Sequence, residues 1–415
     1  VPSGLRLRAG ATLAAGLLGG LAAPSAAGPW TLGGSVSAQL QALTNPRLQT
    51  GQAADDIDGR LTTRLGLNLA RPGPVTSLAL DASVAPVFGS QTDSDAIGLL
   101  SPRVAASFNT AAKRVTLNGG LSAAFTSTDF LDQLFLDADG DGIIDPGELI
   151  FSDETATQFR AAASLGLNWT PTALDSIGLS LSAQRRDYFD GATNLVPNSN
   201  LGLNGSWSRP LAPDLTGRLG TSLGWFVAES QANTETASLD ITGGLSWTVN
   251  SRMTLSGNAG IFLANTEQTL TGQPGQPRVS DFQVGGTGGL ALSYATADFT
   301  LSATLSQGLQ PTSLGTVQNT SSLGLSLAWP VNAVSTVGIS ARLQYQQPLG
   351  QPVTGGTTTG DSFAVRIAPY YSYDLDAYSS LRLGYTLDVT DQTTTRNAVS
   401  HSVSLTLTRR FTLMP

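Results

Sequence analysis

Residues 60–69 read Arg60-Leu61-Thr62-Thr63-Arg64-Leu65-Gly66-Leu67-Asn68-Leu69. Leu61, Thr63, Leu65, Leu67 and Leu69 fall on one side of an extended chain; Arg60, Thr62, Arg64, Gly66 and Asn68 fall on the other. Alternation this strict has the period of a β-strand with one apolar and one polar face. A helix would scatter these leucines around its circumference. The pattern is already present upstream, where Leu32, Gly34, Val36, Ala38 and Leu40 interleave with Gly33, Ser35, Ser37, Gln39 and Gln41. It returns over Phe159 to Trp169, Leu239 to Val249, Leu323 to Trp329 and Val337 to Tyr345. About eighteen such segments follow one another, most of them long enough to cross a bilayer at the tilt of a barrel strand.

The connections predict how the segments are arranged. Short turns such as Arg71-Pro72-Gly73-Pro74, Ala111-Ala112-Lys113, Pro171-Thr172-Ala173 and Asn250-Ser251-Arg252 alternate with longer polar stretches over 46–57, 89–98, 127–155, 187–198, 264–278 and 347–361. Short turn, long loop, short turn is the mark of an up-and-down antiparallel transmembrane barrel, with tight periplasmic turns and larger external loops. An even strand number brings both chain ends to the short-turn side. Aromatic residues agree. From the fourth strand on, every second strand carries an aromatic on its apolar face just before a short turn: Phe108, Trp169, Trp207, Trp247, Tyr294, Trp329, Tyr373 and Phe411. That placement predicts one girdle at the lipid headgroups. A soluble β-propeller would also repeat at about forty residues with a recurrent tryptophan, but with four short strands per repeat instead of two long ones.

Composition excludes several classes. The chain has 415 residues, 13% charged and 40% hydrophobic, which is too apolar for a disordered chain. It has no cysteine, so disulfide frameworks and thiol nucleophiles are ruled out. A net charge of -8 argues against nucleic acid as a partner. Arg6 and Arg8 precede an apolar run from Ala9 to about Leu21 and the small residues Pro24-Ser25-Ala26-Ala27, so 1–27 reads as a signal peptide and 28–415 as the barrel. No enzymatic constellation stands out. The single histidine, His401, points outward by parity, and the position two residues on is Val403.

On these patterns the region 28–415 resembles Gram-negative outer-membrane porins and, at the level of strand number and basic conduit, alginate-export barrels. The resemblance implies a passive pore in the outer membrane, bounded by lipid and open to homo-oligomer formation, for small hydrophilic or anionic solutes. An exporter of anionic polysaccharide and a non-conducting adhesive or structural barrel are the alternatives. Many such barrels end on an aromatic residue, whereas this chain ends Phe411-Thr-Leu-Met-Pro415.

Parity puts nine arginines on the interior face: Arg60, Arg64, Arg103, Arg160, Arg186, Arg218, Arg342, Arg366 and Arg382. Interior acids are fewer, mainly Asp81, Asp240, Asp281 and Asp388. Charge rings of one sign set ion preference in pores. Pairing of these arginines with loop carboxylates is the alternative. The long break 127–155 joins the fifth and sixth strands and so forms the third external loop. It contains Asp137-Ala-Asp139-Gly-Asp141-Gly142-Ile143-Ile144-Asp145-Pro-Gly-Glu148. Side-chain ligands at positions 1, 3, 5, 9 and 12, with the Ile143 carbonyl at 7 and glycine at 6, match a calcium loop. Structural Ca2+ is therefore expected at Asp137, Asp139, Asp141, Ile143, Asp145 and Glu148. The porin resemblance implies that this loop folds inward to face the arginines across a constriction.

Overall fold

The computed structural model describes residues 28–45, 57–89, 100–127, 156–189, 195–229, 232–270, 278–311, 317–348, 361–392 and 395–414. The expected signal peptide and the calcium motif lie outside them. The described chain forms one antiparallel sheet closed on itself, with each strand paired to its neighbours in sequence. Closure is made by the first strand, Thr31–Thr44, which pairs with Ile57–Arg71 on one side and with the last strand, Thr395–Met414, on the other. Nineteen strand segments make eighteen staves, because Thr76–Val84 and Val87–Gly89 both pair with Ile57–Arg71 and form one interrupted stave. The interruption falls at Ala85 and Pro86. Proline has no amide to give the ladder, and here its carbonyl accepts from Thr63 N at 3.0 Å while Ala85 N turns to Leu100 O at 2.8 Å.

Register carries the sequence alternation around the ring. Leu61 stands opposite Leu40, Leu40 opposite Leu405, and Leu405 opposite Leu383, all outward. Arg60 stands opposite Gln41 and Gln41 opposite Ser404, all inward. The outward face exposes large apolar side chains on stave after stave, among them Leu40, Leu65, Leu179, Leu219, Ile241, Leu290 and Leu405. In water such a surface would be costly, at roughly 25 cal/mol per Å2 of apolar area. A band of this kind around a sheet whose first and last strands pair is what a bilayer core requires.

Two aromatic girdles bound the band. The first is the one expected near the short turns. Trp169, Trp247, Trp329, Tyr373 and Phe411 are exposed on the outer face, and the Trp247 and Trp207 indole N–H groups donate to Asp214 (2.9 Å) and Asp175 (3.2 Å) in adjacent turns. Phe108 lies over Gly119 on the next strand, where any side chain would collide with its ring. The second girdle, near the long-loop ends, was not anticipated. Phe88, Trp225, Phe282 and Tyr345 are exposed there, and Phe125 and Phe159 pack at 4.8 Å between ring centroids. In Thr157–Trp169 and in Ser362–Asp374 the two girdle rings are ten residues apart, Phe159 to Trp169 and Phe363 to Tyr373. Ten residues of strand span about 33 Å, and a tilt of about 40° reduces this to roughly the 25 Å apolar band of an outer-membrane barrel.

Candidate functional site in the lumen

All nine arginines singled out in the sequence face the interior, and they occupy two levels. Arg64, Arg218 and Arg382 are exposed to the lumen in the half nearer the short turns or at mid-wall. Arg382 stacks over the Tyr370 ring at 3.9 Å, and the Tyr370 ring in turn covers Gly338. Toward the long-loop ends lie Arg60, Arg103, Arg160, Arg186, Arg342 and Arg366, all partly or fully buried.

The upper arginines form two arcs. In the first, Arg103 pairs with Ala124, Ala124 with Arg160, and Arg160 with Arg186, so three guanidinium groups share one row across four strands. Gln184 sits one inward position below Arg186, and its side-chain carbonyl accepts from Arg160 Nε and, at 2.8 Å, from Arg160 Nη2. Gln158 donates to the Tyr188 hydroxyl at 3.1 Å just above. In the second arc, Arg342 pairs with Arg366 and Arg366 with Asp388. Arg160 and Arg186 are on the sixth and seventh staves, and Arg342 and Arg366 on the fifteenth and sixteenth. Nine staves separate them in a ring of eighteen, so the arcs face each other across the lumen.

Among the described residues, Arg366 and Arg60 form ion pairs with acids of the wall itself. Arg366 Nε and Nη2 reach Asp388 Oδ1 and Oδ2 at 2.7 and 2.9 Å, a bidentate pair with 14% and 7% of the side chains exposed. Arg60 Nε donates to Asp58 Oδ2 at 2.9 Å, and this pair is 6% and 2% exposed. Asp58 adds to the acids expected on the interior face; it and Arg60 stand two apart on one face of a strand, which brings them together. Asp58, Asp81, Asp240, Asp281, Asp374 and Asp388 thus share the interior face with the nine arginines among the described residues. The wall stays basic.

Burial of the inward side chains varies along the wall. Inward side chains near the long-loop ends are buried on many staves, including Gln41, Asp58, Arg186, Asn198, Thr236, Phe262, Thr320, Gln344, Gln346, Asp388 and Ser400. On the same strands, inward residues nearer the short turns, such as Ser164, Ser326, Ser340 and Arg382, are exposed. Inward side chains are therefore most densely covered in the long-loop third, at the level of the two arginine arcs.

The closed ring, the outward apolar band and its paired girdles decide the class. This is a membrane-spanning β-barrel. No protein-family model and no curated protein matches the chain. Among solved structures it is similar to OpdO of Pseudomonas aeruginosa (11% identity, 92% of this chain and 97% of that one, TM-score 0.47) and to an anion-selective porin from Comamonas acidovorans (14%, 92% and 99%, TM-score 0.39). It is also similar to the ferric citrate transporter FecA (12%, TM-score 0.47), of which it spans only 61% while 89% of this chain is covered.

His401 faces outward as expected, ten residues before Phe411 on the last strand and so at the level of the second girdle. Its Nδ1 lies 2.7 Å from the Tyr385 hydroxyl, and its backbone amide donates to Thr44 Oγ1 at 3.1 Å. These contacts anchor an interfacial side chain.

Proposed function

We propose that the barrel is a passive pore for small hydrophilic solutes, with preference for anions. The facing arginine arcs, at the level where inward side chains are most covered, carry this reading. Fixed positive charge in a narrow, low-dielectric passage raises the local anion concentration, and focusing strengthens the effect where water is thinnest. Passage down a gradient needs no cofactor and no bond making. Asp137, Asp139, Asp141, Ile143, Asp145 and Glu148 supply the oxygen set that would hold structural Ca2+ in the third external loop, neutralising part of its charge and stiffening it.

Reconstitution into planar bilayers tests the pore. Stepwise open-channel current is expected, with a reversal potential on the anion side in a potassium chloride gradient. Arg160→Ala is expected to move that potential toward zero. A protein that inserts and never conducts would overturn the reading.

A further inference from the structure

Between the strands Arg278–Ala295 and Thr300–Pro311 the ladder stops part-way up the wall, and its last rung is Gly288 with Gln307. Above it, Arg278 to Thr287 pair with Met253–Leu270 on their other side, and Gly308 to Pro311 pair with Val317–Asn332. Leu309 and Val317 instead pack with Phe226 and Ala228 of the ninth stave. The wall has parted here. Backbone groups that would have completed the ladder are left facing the split, and such groups need partners.

A cavity of about 460 Å3 occupies this place; Leu309 lines part of it, and Asn204, Ser222, Asp240, Asn258, Thr287 and Thr320, whose side chains all face the interior by register, supply its polar groups. Gly288, Gly289 and Gly308 add bare backbone to the lining. Thr320 is only 3% exposed, and its Oγ1 has no hydrogen-bond partner among the described residues. A buried hydroxyl without a partner is unfavourable unless something fills its place. Ser222 donates to Asp240 Oδ2 at 3.3 Å, which leaves Oδ1 to accept. Thr287 donates to the Gln307 carbonyl at 3.0 Å, so its oxygen also remains an acceptor.

We infer that this cavity is a binding subsite for a neutral polyhydroxylated solute of mono- or disaccharide size. The inference rests on the pore reading for the solute's route of access. Its chemistry differs from that of the arginine arcs. The lining offers hydroxyl, amide, carboxylate and backbone groups, a set matched to adjacent solute hydroxyls that both donate and accept. It contains no arginine or lysine, and Asp240 repels an anion. The volume falls within the roughly 300–1,000 Å3 of small-molecule pockets. No aromatic ring lines it, so binding is by hydrogen bonds and stays weak, as a site on a conducting path must be.

Maltose added to the full-length protein in planar bilayers is the test, against a polyethylene glycol of equal hydrodynamic size. Concentration-dependent current interruptions by maltose alone are expected, weakened roughly tenfold in Thr320→Val and in Asp240→Asn, the size expected for one lost hydrogen bond. Both replacements keep side-chain shape, and the thermal unfolding midpoint identifies a variant that misfolds, for which Thr287→Val is substituted. Equal interruption by both solutes, or interruption unchanged in the variants, overturns the subsite and leaves the pore standing. Absence of any current removes the pore reading alone. Calorimetric titration of maltose into the detergent-solubilised protein then decides: heat that is lost in Thr320→Val upholds the subsite, and no heat overturns it.

Discussion

Arg366 and Asp388 meet across adjacent strands through two parallel bonds of 2.7 and 2.9 Å, with Arg342 on the other side of Arg366 in the register. The carboxylate thus takes one charge out of the second arginine arc and fixes the guanidinium plane against the wall. Asp388→Asn should therefore raise anion preference, read as a more anion-sided reversal potential. Arg366→Ala should do the opposite and also strand a buried carboxylate, at a cost of about 3–5 kcal/mol in urea unfolding. A variant as stable as the parent would show the pair to be solvated.

Arg160 and Arg186 face each other directly in the register, and Gln184 accepts from Arg160 beside them. Each single alanine replacement should lower anion preference. The double replacement should differ from the sum of the two, because contacting residues couple. Single-channel recordings of all three variants form the cycle.

The apolar band makes a depth-dependent prediction on one strand. Leu165→Arg, midway between Phe159 and Trp169, should cost about 2–4 kcal/mol, whereas Phe159→Arg at the girdle should cost about 0–1 kcal/mol beyond loss of the ring. Unfolding in detergent or lipid vesicles separates them. Equal costs would contradict the placement of the girdles.

The short turns hold the girdle through carboxylates. Trp247→Phe keeps an aromatic ring, though a smaller one, and removes the donor to Asp214, so a loss of about 1 kcal/mol from the hydrogen bond is expected in the same assay. At the neighbouring turn, the Asp175 carboxyl is held below the usual carboxylate range, chiefly by the Thr172 hydroxyl and also by the Trp207 indole and Arg209. Its folded value is depressed, so its contribution is complete above the ordinary carboxylate range and disappears as pH falls through the folded value. Trp207 fluorescence should report an acid transition that Asp175→Asn abolishes.

Calcium removal addresses the third loop. With EDTA, and in Asp137→Ala, proteolysis within 127–155 should accelerate and the open-channel current should become noisier, with the barrel's unfolding midpoint unchanged. Identical cleavage with and without calcium would reduce the motif to an acidic turn.

Much of this architecture can be read from residues a few positions apart. Leu61, Leu65 and Leu69 reveal an outward face because side-chain direction has period two, and register transmits that parity from Arg60 around the ring to Arg382. The girdle near the short turns is equally legible, since Trp169 and Trp247 stand next to the turns that end their strands. The second girdle is harder to see, because Phe125, Trp225 and Tyr385 lie at unequal distances from the adjoining loops. The split above Gly288 and Gln307 is invisible in either strand alone. It arises because Leu309 and Val317 find apolar partners at Phe226, which is remote in sequence.

The seam between the first and last strands has a consequence for biogenesis. Leu32 and Met414 pair at one end of it, and Thr44 and His401 at the other. The first strand cannot acquire its second neighbour until the final residues of the chain have been delivered. Contacts of such separation are slow to form. Until then the chain carries two bare strand edges and an unsheltered apolar face, the features that drive aggregation. In a chain closed in this way, covering those edges until the ring is complete suppresses aggregation.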